Sequence, residues 1–439
     1  FVLVAIRAEM EEKESLIEPF DFPETGRGCA ATRDIKKGEV VLAVPFRSAW
    51  SKITASLCPE LRHLIKIPVK EHDLVCMHIM VELNKGEKSE RYEHIQEMPK
   101  RFDMPIFWDD DELDELRGSG YHSIALRLQE QVKADYKALY HLLMQKEHLG
   151  KLGAAQLVAE HDFTEEKYIW ATACLWSRAC DMSIGGKTTR LLCPKFDMFN
   201  HDQTLEQFSS HRWNVASKCV HVVATRNYAK GEQVYISYGN KPSQKQMLWY
   251  GFATVDNPCD SVDLFLALDA LPEAASEEEQ KLWLTKRDLL VANGCSYFVP
   301  DQYVPAASQG PPPVHGGPSQ DFDVCHRLTR SDPLPHKLLM MMRIMNCTNL
   351  KELKSLRKAR AKLPAEREAG MLAELDSVLR HMQDQYPDSI EKDQGLLDQK
   401  DLPYRMRVAV TVRLSEKRIL AAALEALQKK KSNGSQNGK

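Results

Sequence analysis

The sequence predicts an α+β protein, in which short strands enclose a long helical stretch and an all-α region follows them. Short strand-like runs bounded by turns stand near residues 40–45 and again within residues 220–238. Between these runs, from about residue 60 to about residue 170, apolar residues recur at three- and four-residue steps, which is typical of amphipathic helices. From about residue 262 the pattern is mostly helical. Because 439 residues are too many for one ordinary core, we expect two domains.

Composition and charge exclude several classes of protein. The chain is 43% hydrophobic and 28% charged, which is typical of a globular protein. A formal net charge of −3 and a sequence pI near 6.6 give no basic surface that would favour nucleic acid. No apolar run is long enough to cross a bilayer. We therefore expect neither nucleic acid nor a membrane among the partners.

The cysteines and histidines predict no metal site. The 11 cysteines are scattered, without a C-x-x-C or C-x-C pair, so we expect reduced thiols in an intracellular protein. His72, His78, His94 and His122 lack metal-ligand spacing and are expected to be structural or exposed.

The beginning of the sequence leaves the compartment open. The chain starts with Phe1, and the opening FVLVAIRAEM is too short and wrongly flanked for a signal peptide. We interpret the chain as a fragment or a processed form. The expected location is the cytoplasm or the nucleus, with the chloroplast as the alternative.

The first strand region, residues 20–48, contains two closely spaced glycines. Gly26-Arg27-Gly28 could open a dinucleotide-binding fingerprint, which requires a helix directly after the glycines. A polar turn at residues 36–39 and the strand VVLAVP follow instead, so this alternative is rejected. An ordinary glycine-containing hairpin remains open from the residues alone.

The helical stretch contains several well-marked helices. An amphipathic pattern covers residues 72–86, a short acidic helix ends near Gly118, and a longer helix covers residues 124–143. Thr164 marks the start of another helix. Arg178 lies at the C-terminal end of that helix, where its positive charge interacts favourably with the helix dipole.

The region between residues 191 and 252 concentrates polar and aromatic side chains. Asp197, Asn200 and His201 end an apolar run, and two short strands joined by a turn follow, of which the second ends at Tyr238. A Tyr-Gly-Phe sequence comes next, at residues 250–252. This order predicts a small site with an aromatic hydroxyl at its centre.

The last third of the chain is predicted to be helical with one exposed loop. Residues 299–323 are rich in Pro and Gly and predict a poorly ordered loop. Charged and amphipathic helices follow, and residues 431–439 are expected to form a disordered tail.

Taken in order, the motifs D-x-x-N-H, G-E-x-[VI]-x-[IV]-x-Y-G and Y-G-F resemble the catalytic half of SET-domain methyltransferases. The class is the one related to the Rubisco large-subunit lysine methyltransferase. The resemblance implies a SET-type β-fold at residues 20–255, with a helical insertion at about 60–170. It further implies a helical substrate-binding domain at residues 262–430.

The resemblance also implies the site. Tyr238 is the catalytic residue, which directs the lone pair of an amine toward the methyl group of S-adenosylmethionine, the implied cofactor. Arg178 is assigned to the carboxylate of the cofactor, and Asp197 to holding the local backbone. The implied cofactor-binding residues are Thr25, Gly26, Arg27, Arg178, Asp197, Asn200, His201, Tyr250, Gly251 and Phe252. The implied substrate-channel residues are Cys180, Tyr238 and Tyr250.

Three functions follow from the resemblance. The first is a monomeric protein-lysine N-methyltransferase acting on a non-histone protein. The second is protein-histidine methylation, because Cys180 stands where lysine-methylating relatives commonly have an aromatic residue. The third is a catalytically silent SET protein that binds a partner through its helical domain, which the intact Tyr238, Asn200 and His201 disfavour.

Overall fold

The computed structural model describes residues 15–62, 64, 67–144, 162–206, 210–264, 274–292, 327–356 and 362–436. The described residues form two compact units. The first is drawn from Phe1–Phe107, Ala125–Lys241 and Leu248–Gly251, and the second from Trp108–Ile124, Pro242–Met247 and Phe252–Lys439. The α+β prediction is confirmed, with short strands in the first unit and mainly helices in the second. The predicted domain boundaries, 20–255 and 262–430, stay a prediction.

The first unit contains short strands in small sheets. The strands are β1 (Ile17–Phe22), β2 (Gly26–Ala31), β3 (Val40–Pro45), β4 (Cys180–Ile184), β5 (Lys187–Leu191), β6 (Asn200–His201), β7 (His211–Asn214), β8 (Cys219–Val223) and β9 (Gln233–Ile236). Their sheet orders are β1-β2-β9-β6, β3-β8-β7 and β4-β5.

The parallel pairing of β6 with β9 positions the site motifs. Asn200 lies opposite Tyr235 and His201 opposite Ile236, while the neighbouring pairs of that sheet are antiparallel. Cys29 of β2 lies opposite Val234 on the other side of β9. The glycine hairpin and the D-x-x-N-H motif therefore flank the strand that leads to Tyr238.

The helices follow the predicted periodicity. Their bounds are α1 (Lys52–Leu57), α2 (Glu71–Lys85), α3 (Tyr92–Glu97), α4 (Asp110–Asp114), α5 (Gly120–Met144), α6 (Glu165–Arg178), α7 (Ser243–Tyr250), α8 (Glu277–Ala292), α9 (His336–Met345), α10 (Leu350–Ser355), α11 (Ala365–Asp384), α12 (Ile390–Leu397) and α13 (Tyr404–Gln436). Thr164 caps α6 as predicted, since its side chain accepts the backbone N–H of Lys167. The predicted loop at residues 299–323 lies outside the described residues.

Each unit has its own apolar core. In the first unit, the inward residues of β8 and β9, including Val220, Val222, Val234 and Ile236, are buried at alternate positions. In the second unit, strands β10 (Ser261–Asp263) and β11 (Arg327–Thr329) pair, and leucines and methionines of the helices pack together.

The predicted tail at residues 431–439 is wrong as far as Gln436, because α13 continues to that residue. Lys429 pairs with Glu425 one turn earlier at 2.6 Å and supports the helix just before this segment. Ser, Asn and Gly in residues 432–435 favour helix only weakly, so α13 extends here by propagation from its preceding turns. Residues 437–439 lie outside the described residues.

Within the described ranges, no helix is both long and apolar enough to cross a membrane.

Candidate active site

Tyr238 is held in place by its hydroxyl, its backbone and its ring. The hydroxyl donates to the carbonyl of Phe199 at 2.6 Å, and the backbone N–H donates to Nδ1 of His201 at 3.0 Å. The ring stacks on His201, with centroids 5.1 Å apart, and on Tyr250, with centroids 4.9 Å apart. The side chain is therefore fixed before any ligand binds.

His201 orients Tyr238 as a neutral ring. Its Nδ1 accepts the N–H of Tyr238, so the ring proton lies on Nε2, which is 2.8 Å from Oε1 of Gln203. Burial lowers the pKa of His201 below its ordinary value. His201 thus holds the backbone and the ring of Tyr238, and its predicted place near the cofactor stays a prediction.

Tyr250 ends helix α7 and forms a second aromatic wall beside Tyr238. Burial raises the pKa of both hydroxyls above their ordinary value, so both stay protonated at neutral pH. The next residue, Gly251, has φ +78°, and a Cβ there would lie 2.8 Å from the backbone carbon of Asp103. Only glycine allows this close approach, which fixes the end of the Tyr-Gly turn.

The hairpin before β2 forms hydrogen bonds with the side-chain amides of Asn200 in β6 and Gln233 in β9. Nδ2 of Asn200 donates to the carbonyl oxygens of Thr25, at 3.4 Å, and Arg27, at 3.2 Å. The Thr25 hydroxyl donates to Oε1 of Gln233 at 2.9 Å. These contacts bring the predicted residues Thr25 and Arg27 of the glycine hairpin together with Asn200 of the D-x-x-N-H motif.

The two hairpin glycines differ in their surroundings. Gly26 has φ +68°, and a Cβ there would meet no atom within 4 Å. At Gly28, a Cβ would lie 2.3 Å from Nε2 of Gln233 and 2.9 Å from Nδ2 of Asn200. Gly28 is therefore required for the close packing of the amides, and Gly26 for the turn.

Arg178 and Asp197 form a buried charged pair with His94. Nη1 of Arg178 donates to the backbone carbonyl of Asp197 at 2.6 Å and to its Oδ2 at 3.2 Å. Nε2 of His94 lies 3.2 Å from the same Oδ2, and Nδ1 of His94 accepts the indole N–H of Trp50 at 2.8 Å. The ring proton of His94 therefore faces the carboxylate.

This arrangement keeps Asp197 ionised. Burial alone would raise the pKa of the carboxyl, but the N–H of His94 and the guanidinium of Arg178 hold it below its ordinary value. The side chain of Asp197 is only 2% exposed and that of Arg178 is 21% exposed. The side chain of Asp197 thus holds the arginine, and its predicted role in holding the local backbone stays a prediction.

Cys180 begins strand β4 and is half-buried. Its thiol forms a hydrogen bond with the buried thiol of Cys193, which together with burial raises the pKa of Cys193. Phe252 is half-buried and begins a segment of the second unit. Its place among the cofactor-binding residues stays a prediction.

His94 and Gln233 lie at the site, although the sequence did not predict either as a site residue. His94 was expected to be structural or exposed, and it is buried against Asp197. Gln233 is the variable position of the G-E-x-[VI] motif and is buried at the hairpin. No local signal identifies either residue, because both reach the site through contacts between distant segments.

Several polar atoms at this site have no partner among the described residues. Nε of Arg178 and Nε2 of Gln233 are buried donors without an acceptor, and Oδ1 of Asp197 is a buried acceptor without a donor. Both hydrogen bonds of Asn200 use Nδ2, which leaves its Oδ1 as an acceptor. Since buried polar groups are normally paired, these atoms indicate a polar ligand with both donors and acceptors.

Two protein-family models match the chain. The SET domain model matches residues 26–239, and the Rubisco LSMT substrate-binding model matches residues 277–420. Both parts predicted by the resemblance are thereby confirmed.

Similar curated proteins and solved structures were also found. The chain is 25% identical to the actin-histidine N-methyltransferase of Canis lupus familiaris, over 93% of this chain and 66% of that protein. It is 24% identical to the human protein of the same name, over 93% of this chain and 65% of that protein. The chain thus spans just under two thirds of the length of these relatives.

Two solved structures share the fold. The SET domain of LSMT bound to lysine and AdoHcy matches with a TM-score of 0.75 and 20% identity, over 96% of this chain and 89% of that chain. Rubisco LSMT bound to AdoMet matches with a TM-score of 0.70, the same identity and the same coverage.

Proposed function

This chain belongs to the SET-domain family, in the class that also carries a Rubisco LSMT substrate-binding domain, and on that premise we propose that it is a protein N-methyltransferase. The observation that carries the proposal is the partly buried Tyr238, fixed by Phe199, His201 and Tyr250 and close to unpaired polar atoms of Arg178, Asp197 and Gln233. The cofactor of the family is S-adenosylmethionine, whose sulfonium supplies the methyl group.

The polar atoms of the site fit this cofactor. Its amino-acid part carries a carboxylate and an ammonium group, which need donors and acceptors respectively. The unpaired Nε of Arg178 is suited to the carboxylate, and Oδ1 of Asn200 to the ammonium. The open surroundings of Gly26 allow the backbone of the hairpin to contact the ligand directly.

In this proposal Tyr238 positions the acceptor nitrogen. Its hydroxyl donates its proton to the carbonyl of Phe199, and the same oxygen is proposed to accept an N–H of the substrate. That contact turns the nitrogen lone pair away from the tyrosine and toward the methyl group. Methyl transfer is an in-line displacement, so alignment of this kind contributes most of the rate.

The walls of the channel also favour an uncharged nucleophile. A lysine side chain has an ordinary pKa near 10.4 and must lose a proton before it can attack. The stacked rings of Tyr238 and Tyr250 surround the acceptor with apolar surface, which disfavours an ammonium ion. An imidazole, with an ordinary pKa near 6.5, is mostly neutral without such help.

Two acceptors are proposed, and histidine is to be tested first. The curated relatives are named actin-histidine N-methyltransferases, and Cys180 gives the channel a smaller wall than an aromatic residue would, which suits a planar ring. Lysine is the second acceptor, as the sequence motifs predict. Actin is the first protein to try as a substrate, because the relatives are named for it.

The first experiment is a calorimetric titration of the purified chain with S-adenosylmethionine and its demethylated product. We expect micromolar binding that is lost in Asn200→Ala. The matched control is Asn227→Ala, in which a turn asparagine that accepts the N–H of Lys37 is removed. If neither S-adenosylmethionine nor its demethylated product bound, the result would favour the alternative of a catalytically silent protein that binds a partner.

The second experiment identifies the acceptor. Actin and cell lysate are incubated with the chain and cofactor carrying a labelled methyl group, and the labelled protein is hydrolysed to amino acids. Labelled methylhistidine supports the first acceptor and labelled methyllysine the second. Cofactor binding without label in any protein would contradict the proposed methyl transfer.

A further inference from the structure

The first unit contains a second group of ligand-type side chains, none of which belongs to the candidate active site. Cys58 follows helix α1, and His78 and Glu82 lie one turn apart on helix α2. One thiol, one imidazole and one carboxylate atom of these residues lie within 4.8 Å of one another. The residues are only 5%, 3% and 7% exposed, respectively.

A ring of charged contacts completes this group. Sγ of Cys58 donates to Oε2 of Glu60 at 3.0 Å. The ammonium of Lys85 lies 3.0 Å from Oε1 of Glu60 and 2.7 Å from Oε1 of Glu82. Two carboxylates thus face one ammonium in this group.

The charged contacts among Cys58, Glu60, Glu82 and Lys85 provide no hydrogen-bond partner for His78. Its Nδ1 is buried with no hydrogen-bond partner among the described residues, and its Nε2 lies 4.0 Å from Oε1 of Glu82, too far for a hydrogen bond. Burial lowers the pKa of His78 to about 3, so the ring is neutral at physiological pH. A neutral buried imidazole is the form that binds a metal.

We propose that Cys58, His78 and Glu82 bind one zinc ion. One thiolate, one imidazole and one carboxylate are three protein ligands of the kinds that suit this metal, which leaves its fourth position open. Tetrahedral zinc places its ligand atoms roughly 3.3–3.8 Å apart, so the side chains need to move by about 1 Å.

The ammonium of Lys85 pairs with Glu82, the carboxylate that the metal would bind, and with Glu60 beside it. Its side chain is 24% exposed, so the ammonium can turn outward to water when the metal enters. The nearby Arg91 does not compete in the same way, because its guanidinium is held by the carbonyl of Ser48 at 2.6 Å and lies over Trp50. Ser89 donates to Oε2 of Glu82 at 2.6 Å and orients that carboxylate for binding.

The proton balance of binding follows from the same contacts. Burial and the neighbouring Glu60 raise the pKa of the Cys58 thiol to about 12, so the thiol is protonated before the metal binds. It becomes a thiolate on binding and releases its proton to solvent, whereas the neutral His78 releases none and Lys85 keeps its charge. One proton is therefore released for each metal ion.

The test uses the purified full chain, first freed of metal with a chelator. Calorimetric titration with zinc, in two buffers of different ionisation enthalpy, measures the affinity and the protons released. Titration with cobalt(II) reports thiolate ligation by its charge-transfer absorption. We expect one zinc ion, one released proton and the cobalt–thiolate band.

Variants locate the site. Cys58→Ser and His78→Gln should remove the cobalt–thiolate band or weaken zinc binding at least tenfold, whereas Cys347→Ser, a buried cysteine of the second unit, should change neither. Lys85→Gln should bind zinc at least tenfold more tightly, because it removes the competing ammonium. The matched control Lys88→Gln changes an exposed lysine and should leave the affinity as it is.

The proposal is overturned if neither the natural chain nor Lys85→Gln binds zinc. It is equally overturned if binding survives both Cys58→Ser and His78→Gln, or if Lys85→Gln binds no more tightly. None of these measurements depends on methyl transfer, so they are independent of the proposed function.

Discussion

Replacing Asp197 by Asn tests whether the buried carboxylate stabilises the first unit and its site. The substitution keeps the shape of the side chain and removes its charge. Asp197 is then no longer an ionised partner for Arg178 or for the ring N–H of His94. Removing one partner of a buried ion pair costs roughly 3–5 kcal/mol.

The structure places the expected loss at the lower end of that range, about 3 kcal/mol. Arg178 keeps 21% exposure and its 2.6 Å bond to the backbone carbonyl of residue 197, which the substitution does not remove. For a unit of roughly 200 residues, such a loss lowers the melting temperature by about 6–12 °C. The cofactor affinity should fall as well, because the guanidinium is no longer oriented.

The stabilisation of the folded state by Asp197 depends on pH in a definite direction. The pKa of Asp197 is depressed in the folded state, so its stabilisation is present above the unfolded pKa of about 3.9 and is lost as the pH falls through the folded pKa. The difference in unfolding free energy between the natural chain and Asp197→Asn should therefore be constant between about pH 5 and pH 8. Urea unfolding at several pH values measures it.

A second aspartate provides the control. Asp181 pairs with Arg190 in the same unit, but the two side chains are 26% and 25% exposed. Asp181→Asn should cost less than about 1 kcal/mol, because solvent screens this pair. If Asp197→Asn were no more destabilised than Asp181→Asn, the charged pair at the site would not have the stabilising role assigned to it.

Three further predictions concern the site and the second unit. Tyr238→Phe should keep the aromatic stacking and leave cofactor affinity within a few fold. Turnover should fall roughly 100-fold, because the acceptor nitrogen is no longer aligned. Unchanged turnover in a single-turnover assay would exclude this role of the hydroxyl. Gly28→Ala should weaken cofactor binding in calorimetry, because its Cβ would displace the amides of Gln233 and Asn200, and unaltered affinity would count against this placement. In the second unit, burial raises the pKa of Glu416 to about 7, although its hydrogen bonds favour the charged form. The folded state therefore binds a proton that the unfolded chain has lost, and stability should fall by on the order of 3 kcal/mol as the pH rises from about 4.3 to about 7. Urea unfolding of Glu416→Gln should lack this slope, and an identical slope in both chains would contradict the assignment.

Local sequence patterns were sufficient for the helices and for the first outline of the site. The predicted starts and ends near Thr164 and Arg178 are those of α6, because capping and helix periodicity depend on neighbouring residues. The ordered motifs identified Tyr238, Asn200 and His201, which the structure brings together through the pairing of β6 with β9. Lysine as the acceptor is the part of that outline that stays a prediction.

Tertiary structure decided the residues that support these motifs. His94 and Trp50 belong to segments far from Asp197 in the chain, and no spacing rule joins them to it. The group of Cys58, His78 and Glu82 likewise forms only when the end of α1 packs beside α2. The hydrogen bond from the Tyr238 hydroxyl to the carbonyl of Phe199 is also a contact between residues distant in the chain.

The sequence by itself therefore predicted the fold class, several of the helices and the central residues of the proposed site, because these predictions depend on periodicity and on short ordered motifs. Folding decided which side chains are buried together, and with that the depressed pKa of Asp197 and the raised pKa of Glu416. The physical reason is that desolvation and charge pairing depend on distances in space, which residues remote in the chain acquire only when the cores close around them.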